Sequence, residues 1–154
     1  FDGETPAERR IRVATCLLAD IGAYFHPDMR ADHAFETALR APFYGVTHAE
    51  RAAIALSLYS RHEGAKNPSS PVMTLMSEAE LKRAKEVGVA LRFCAAFAPK
   101  APHALRLCAL KRDNASLLFK APKSLEALFD ETVRKRFDAL ANTMGLAGVA
   151  DFSG

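Results

Sequence analysis

Cysteine is scarce in this chain. Cys16, Cys94 and Cys108 are the only three, and none sits in a CxxC pair. The spacing therefore signals neither a zinc knuckle nor a disulfide framework. Cys16 and Cys94 fall within apolar helical runs and read as buried small apolar residues in a reducing cytoplasm. Long hydrophobic runs are also missing. No segment approaches the roughly 18 uninterrupted apolar residues of a transmembrane helix. Residues Phe1 to Arg10 contain no apolar stretch of the signal-peptide kind. A start at Phe1 rather than Met reads as a piece excised from a longer protein, with processing to a mature form as the alternative. Phosphate-cradling glycine loops are absent too: there is no GxxxxGK[ST] and no GxGxxG. Without a GxSxG elbow, and with no histidine near the cysteines in sequence, nucleophilic catalysis has no support.

What remains is an ordinary globular composition. The chain has 154 residues, 49% apolar and 25% charged, the size of about one domain and apolar enough to build a core. Its net charge of +3 is unevenly spread. Residues 1–99 balance 12 basic against 12 acidic side chains. Residues 100–123 carry Lys100, Arg106, Lys111, Arg112, Lys120 and Lys123 against Asp113 alone. Such a local excess attracts a polyanion, or it is simply a solvated hairpin. Phe119 is the sole Phe, Tyr or Trp in that segment, which disfavours nucleic acid, because base stacking needs aromatic platforms.

Three capping boxes punctuate the chain: Thr5 with Glu8, Thr47 with Glu50, and Ser77 with Glu80. Behind the first, Ile11, Ala14, Leu18 and Ile21 fall on one helical face. Val13, Cys16 and Leu17 widen that face, so this helix is expected to be central. Pro27 discourages helix at His26, and a second helix is expected from Asp28 to Arg40. The third runs from Thr47 to a cap at Gly64. The fourth continues to about Phe97, with Leu81, Ala84, Val87, Leu91 and Cys94 inward. Alternating Leu105, Leu107 and Ala109, an Asp113-Asn114 turn and Leu117-Leu118-Phe119 predict a β-hairpin over about residues 104–120. A fifth helix holds Leu128, Val133, Phe137, Leu140 and Ala141 and ends at Gly145. Residues 146–154 read as a frayed tail. The predicted fold class is mainly α, with about five helices and one hairpin.

Four of the five histidines, His26, His33, His48 and His62, lie among Asp20, Asp28, Asp32, Glu50 and Glu63. Imidazole and carboxylate are ligands for hydrolytic metals. Surface or helix-end histidines with ordinary partners are the alternative, and no HExxH spacing decides between them. Arg61 and His62 stand at a helix C-terminus, where the dipole favours cations. A phosphate contact is the further possibility.

The run Cys16-Leu17-Leu18-Ala19-Asp20-Ile21-Gly22, followed by His26-Pro27-Asp28-Met29-Arg30-Ala31, is informative in combination with two others. These are Phe43 to Arg51 and Ala55-Leu56-Ser57-Leu58-Tyr59-Ser60-Arg61-His62-Glu63-Gly64. Together with a weaker match at Gly88 to Arg92, they resemble the C-terminal domain of the exopolyphosphatase / guanosine pentaphosphate phosphohydrolase family, in its alphaproteobacterial form. The resemblance implies a single HD-like helical domain over residues 1–145. It also implies a parent enzyme whose catalytic actin-like ATPase-fold domains, with their magnesium, lie outside this sequence. Implied partners are inorganic polyphosphate, those catalytic domains and a second copy in a homodimer; no membrane is implied. An HD phosphohydrolase places a His-Asp doublet on a helix; here the position reads Ala19-Asp20. Alanine has no ligand atom, so no catalytic residue and no metal is expected in this segment, and Asp20 is expected to be a structural hydrogen-bonding residue. Were a metal held, Asp20, His26, His33 and His62 would be its ligands, as in an active metal-dependent phosphohydrolase. The residues expected to meet a polyanion are Arg30, Arg61, His62, Lys111 and Arg112.

Overall fold

Each capping box forms as spaced. Thr5 Oγ1 accepts from the Glu8 amide at 3.2 Å while the Glu8 carboxylate accepts from the Thr5 amide at 2.7 Å. Thr47 and Glu50 exchange the same pair of bonds, as do Ser77 and Glu80. Two otherwise orphaned amides are thus satisfied at each helix start. These geometries come from a computed structural model that describes residues 3–99 and 101–153. Helices α1 (Pro6–Leu17), α2 (Arg30–Arg40), α3 (His48–Glu63) and α4 (Glu78–Phe97) follow in order, joined in part by short 3-10 turns. Next come a single helical turn, α5 (Pro102–Leu105), then strands β1 (Ala109–Arg112) and β2 (Ser116–Lys120). Helix α6 (Glu131–Met144) and strand β3 (Ala147–Asp151) complete the chain. The fold is mainly helical with a small sheet. Among the described residues no helix is long and apolar enough to cross a membrane. The chain divides into two compact units, Phe1–Leu91 and Arg92–Gly154, with the boundary inside α4.

In the first unit the core is the α2–α3 pair. Ala34, Phe35 and Ala38 meet Ile54, Ala55 and Leu58, all at most 3% exposed. Ile11, Ala14, Leu18 and Ile21 pack against this cluster from one side, as their spacing predicts. The helix that carries them is peripheral, however. Val13, Cys16 and Leu17 face outward, Leu17 at 83% exposure. Among the described residues the Val13–Cys16–Leu17 side of α1 stays exposed, so the central position and the buried Cys16 expected from the sequence are corrected. Helix α1 also stops at Leu17. Residues 18–24 continue as tight turns, with the amides of Ile21, Ala23 and Phe25 reaching back three residues to Leu18, Asp20 and Gly22. The second helix begins at Arg30, because Pro27–Met29 takes the tighter 3-10 form.

Arg51 ties α3 to the end of α2. It donates to the carbonyls of Leu39, Ala41 and Phe43 at 3.3, 2.7 and 3.3 Å. One guanidinium thereby serves carbonyls that have no intrahelical donor. Glu4 is a second clasp: its carboxylate, 7% exposed, accepts from Arg12 of α1 at 2.7 and 2.9 Å and from Arg83 of α4 at 3.0 Å. The Arg12 hydrogen bonds, with help from Arg83, hold the Glu4 carboxyl down at about 2.

In the second unit six phenylalanines make the core. Phe93 and Phe97 from the end of α4 meet Phe119 edge-on, with centroids 5.2 and 5.1 Å away. Phe129, Phe137 and Phe152 close around Phe119 at 5.6, 5.9 and 6.2 Å. Offset and edge contacts at these distances add to the area term. The inward stripe of α4 turns accordingly: Ala84 and Val87 are buried as expected, but Phe93 and Phe97 are buried where Leu91 and Cys94 are only half-buried. The hairpin forms as β1 and β2, with Arg112 opposite Leu117 across the Asp113–Ala115 turn. Its expected start near residue 104 is corrected, since Leu105 belongs to a helical turn begun by Pro102. Val133, Phe137, Leu140 and Ala141 are buried on α6, while Leu128 lies in a preceding 3-10 turn. The expected frayed tail from residue 146 is corrected as well. Leu146 is buried, and β3 pairs in parallel with β2, Phe119 opposite Ala150. Gly145 makes this possible by taking the left-handed conformation, φ 74°, that turns the chain back.

Candidate functional site

Two of the sequence-predicted residues of the first unit, Arg30 and His62, border Gly22. A Cβ placed there would lie 2.9 Å from the Arg30 carbonyl oxygen, 3.3 Å from the Ala34 methyl and 3.4 Å from His62 Nε2. Only glycine lets the 18–25 turns approach α2 this closely. His62 and Arg61 are delivered by the last turn of α3, which Gly64 caps. Arg61 Nη2 donates to Asp20 Oδ1 at 2.6 Å, and its Nη1 lies 3.4 Å from His62 Nε2. Asp20 is therefore engaged by a guanidinium, in the hydrogen-bonding role expected of it. The two partners differ in exposure: the Arg61 side chain is 14% exposed and that of Asp20 83%. Arg30 spends its Nε on the Phe25 carbonyl at 2.9 Å. Arg30, Arg61 and His62 of the expected polyanion site thus border one turn segment.

Lys111 and Arg112 lie on β1, in the second unit, and both are exposed. Successive strand residues point to opposite faces, so the two do not share a face of the sheet. Of the other basic residues in the 100–123 segment, Lys120 pairs with Asp151 at 3.6 Å and Lys123 with Glu126 at 2.7 Å. Lys100 lies outside the described residues.

The alternative metal set does not assemble. His26 is held by its neighbour, with Nδ1 accepting from the Asp28 amide at 3.4 Å and lying 3.5 Å from Asp28 Oδ2. His33 stacks flat on Phe25, ring centroids 4.0 Å apart and 9° between planes. Asp20 faces Arg61. Among the described residues no three His, Cys, Asp or Glu side chains form a group able to hold a metal ion. These four residues do not fit a hydrolytic metal centre, which needs convergent donors.

A cavity of about 450 Å³ lies elsewhere in the first unit, between α1, α3 and α4. Its walls include Arg12, Ala53, Ser57, Arg83 and Val87, and the capping carboxylates of Glu8, Glu50 and Glu80 stand along it. Hydrogen bonds from Thr5, Thr47 and Ser77 hold all three carboxyls below the usual range. None of the sequence-predicted site residues lines this cavity, and Glu4, which joins two of its walls, carries no motif that spacing would reveal.

No curated protein matches the chain. A family does, under the description "Exopolyphosphatase, C-terminal", and the match runs from residue 2 to residue 149. The mainly helical architecture and that nearly complete span lead to one conclusion: the chain belongs to the exopolyphosphatase C-terminal domain family.

Proposed function

We propose that this domain binds inorganic polyphosphate on behalf of a parent exopolyphosphatase and joins two copies of it. In this reading it is an HD-like scaffold without a metal centre of its own. Hydrolysis, with its magnesium, belongs to the parent's catalytic domains in the cytoplasm. Family membership supplies the class of reaction, hydrolysis of phosphoanhydrides. The observation that carries the binding role is that Arg30, Arg61 and His62 all contact the 18–25 turn segment, Arg30 through Phe25, Arg61 through Asp20 and His62 beside Gly22. Lys111 and Arg112 offer further exposed charge on β1.

A chain carrying one negative charge per phosphate is recognised by several cations at once. Each contact releases counterions, so affinity falls steeply with salt, as it does for nucleic acids. Titrating the chain with long-chain polyphosphate at increasing salt tests this. The expected result is a linear loss of log affinity with log salt. Replacing Arg61 by Ala should weaken binding and flatten that slope by about one contact. Affinity indifferent to salt, or no binding at low salt, overturns the reading.

A further inference from the structure

The geometry points to the outer edge of β1 as a docking site for an extended acidic segment of another polypeptide, taken up as a fourth strand of the sheet. This goes beyond the polyphosphate reading and stands without it. No other described strand pairs with the outer side of β1, and all four of its residues are exposed. The Asp113 amide donates to the Ser116 carbonyl at 2.9 Å. Bonding alternates along an antiparallel pair. With Lys111 opposite Leu118 and Ala109 opposite Lys120, these two residues turn their backbone groups to β2. Leu110 and Arg112 turn theirs outward. Two amides and two carbonyls thus face the space that a further strand would fill.

The side chains select which strand fits. Residues directly opposite each other share a face of the sheet. Leu110 and Arg112 therefore lie on the face of the buried Phe119 and Leu117, and Leu110 is left 42% exposed at its margin. Lys111 lies on the other face with Leu118. Neither cation meets an acid across β2, and among the described residues neither has an ion pair. The neighbouring Asp113 carboxylate accepts from the Asn114 amide at 2.7 Å. A docked strand supplies the missing charge with one acid opposite Arg112 and a second opposite Lys111, and it covers Leu110 with an apolar residue. An antiparallel partner, the more stable kind, presents these in the order acid, acid, apolar from its N-terminus. A second copy of β1 fits poorly. Matching Leu110 to Arg112 about a two-fold axis sets Lys111 against its own copy, and like charges directly opposite destabilise a pair. Polyphosphate fits incompletely, because its ionised oxygens only accept and leave the two carbonyls unmatched.

The test titrates the isotope-labelled chain with a capped peptide centred on Glu-Glu-Val and follows amide shifts and hydrogen exchange. The amides of Leu110 and Arg112 should shift and exchange more slowly as the peptide binds. Affinity should fall about two- to fivefold for each of Lys111→Gln and Arg112→Gln. Leu110→Pro removes one outward donor and spares the β2 ladder, so binding should weaken about two- to tenfold. Lys111→Glu/Arg112→Glu should prefer a Lys-Lys-Val peptide, a reading that survives even if proline disturbs β1. The proposal is overturned if β1 amides do not respond, if the wild-type chain binds both peptides alike, or if a folded Leu110→Pro variant binds undiminished. Equal protection of the same two amides by polyphosphate assigns the edge to a polyanion, and protection that grows with chain concentration alone assigns it to a second copy. Either result overturns the acidic strand. Polyphosphate affinity measured separately through Arg61→Ala bears on the earlier reading and not on this one.

Discussion

Gly88 has less room for a Cβ than any other described glycine of the first unit and offers a sharp test of its packing. Helices α3 and α4 approach so closely there that an added Cβ would stand 2.2 Å from the Ser57 carbonyl oxygen and 2.5 Å from Ser60 Cβ. An ordinary carbon–oxygen contact is about 3.3 Å or more, so a methyl group requires roughly 1 Å of separation. The obstacle is mostly backbone, which cannot rotate aside. Separation would also loosen Ala52 and Leu56 of α3 from Ala84 of α4, three members of one buried cluster that are each at most 4% exposed. Overpacking of this kind costs about 1–3 kcal/mol, and lost burial adds to it. Alanine's better helix propensity returns at most about 1 kcal/mol. A net loss of about 2–3 kcal/mol is expected for Gly88→Ala. At about 2–4 °C per kcal/mol for a chain of this length, the midpoint of thermal unfolding by circular dichroism should drop by about 5–10 °C. An unchanged or raised midpoint would mean that propensity alone operates and that the close crossing is absent.

Two further outcomes follow from features outside the candidate site. The Glu4 carboxyl falls from 4.5 to about 2 on folding. Between those values the unfolded chain binds more protons, so the clasp stabilises fully above pH 4.5 and is lost as pH falls toward 2. The thermal midpoint of Glu4→Gln should lie below wild type at neutral pH, and the gap should close over that window; a gap independent of pH refutes the clasp. Deleting residues 146–154 removes the parallel partner of β2 and the Phe152 ring beside Phe119. Amide protection across 109–120 should collapse while α2 and α3 stay protected, and full protection in 109–120 would contradict the pairing.

The parts of the fold that were legible in the sequence are those set by local chemistry. A capping box is a reciprocal bond between residues three apart, so Thr5, Thr47 and Ser77 announce their helices without help from the rest of the chain. The Asp113-Asn114 turn and Gly145 are equally local. Misreadings arose where distant contacts decide. Nothing near Cys16 or Leu17 says that their side of α1 finds no partner. Ala147 to Asp151 becomes a strand only because β2 lies alongside, some thirty residues earlier in the chain. Of the candidate site, Arg30, Arg61 and His62 were visible as basic residues within the family-like blocks, the last two at a helix C-terminus. The bond from Arg61 to Asp20 joins residues 41 apart, and the clasp of Glu4 by Arg83 joins residues 79 apart. Neither separation leaves a periodic trace. Arg51, which serves three carbonyls, looks like any other arginine on a helix.

The parallel register of the sheet also has a consequence during synthesis. The α2–α3 core can form once Glu63 has left the exit tunnel, and residues up to Leu91 can settle as they emerge while translation continues. Strand β2 has no such option on one flank. Its amides and carbonyls facing β3 stay uncovered until Asp151 has been polymerised and has left the exit tunnel. For that interval the nascent chain displays an open strand edge beside an unfinished cluster of phenylalanines, the kind of surface that chaperones hold and neighbouring nascent chains capture.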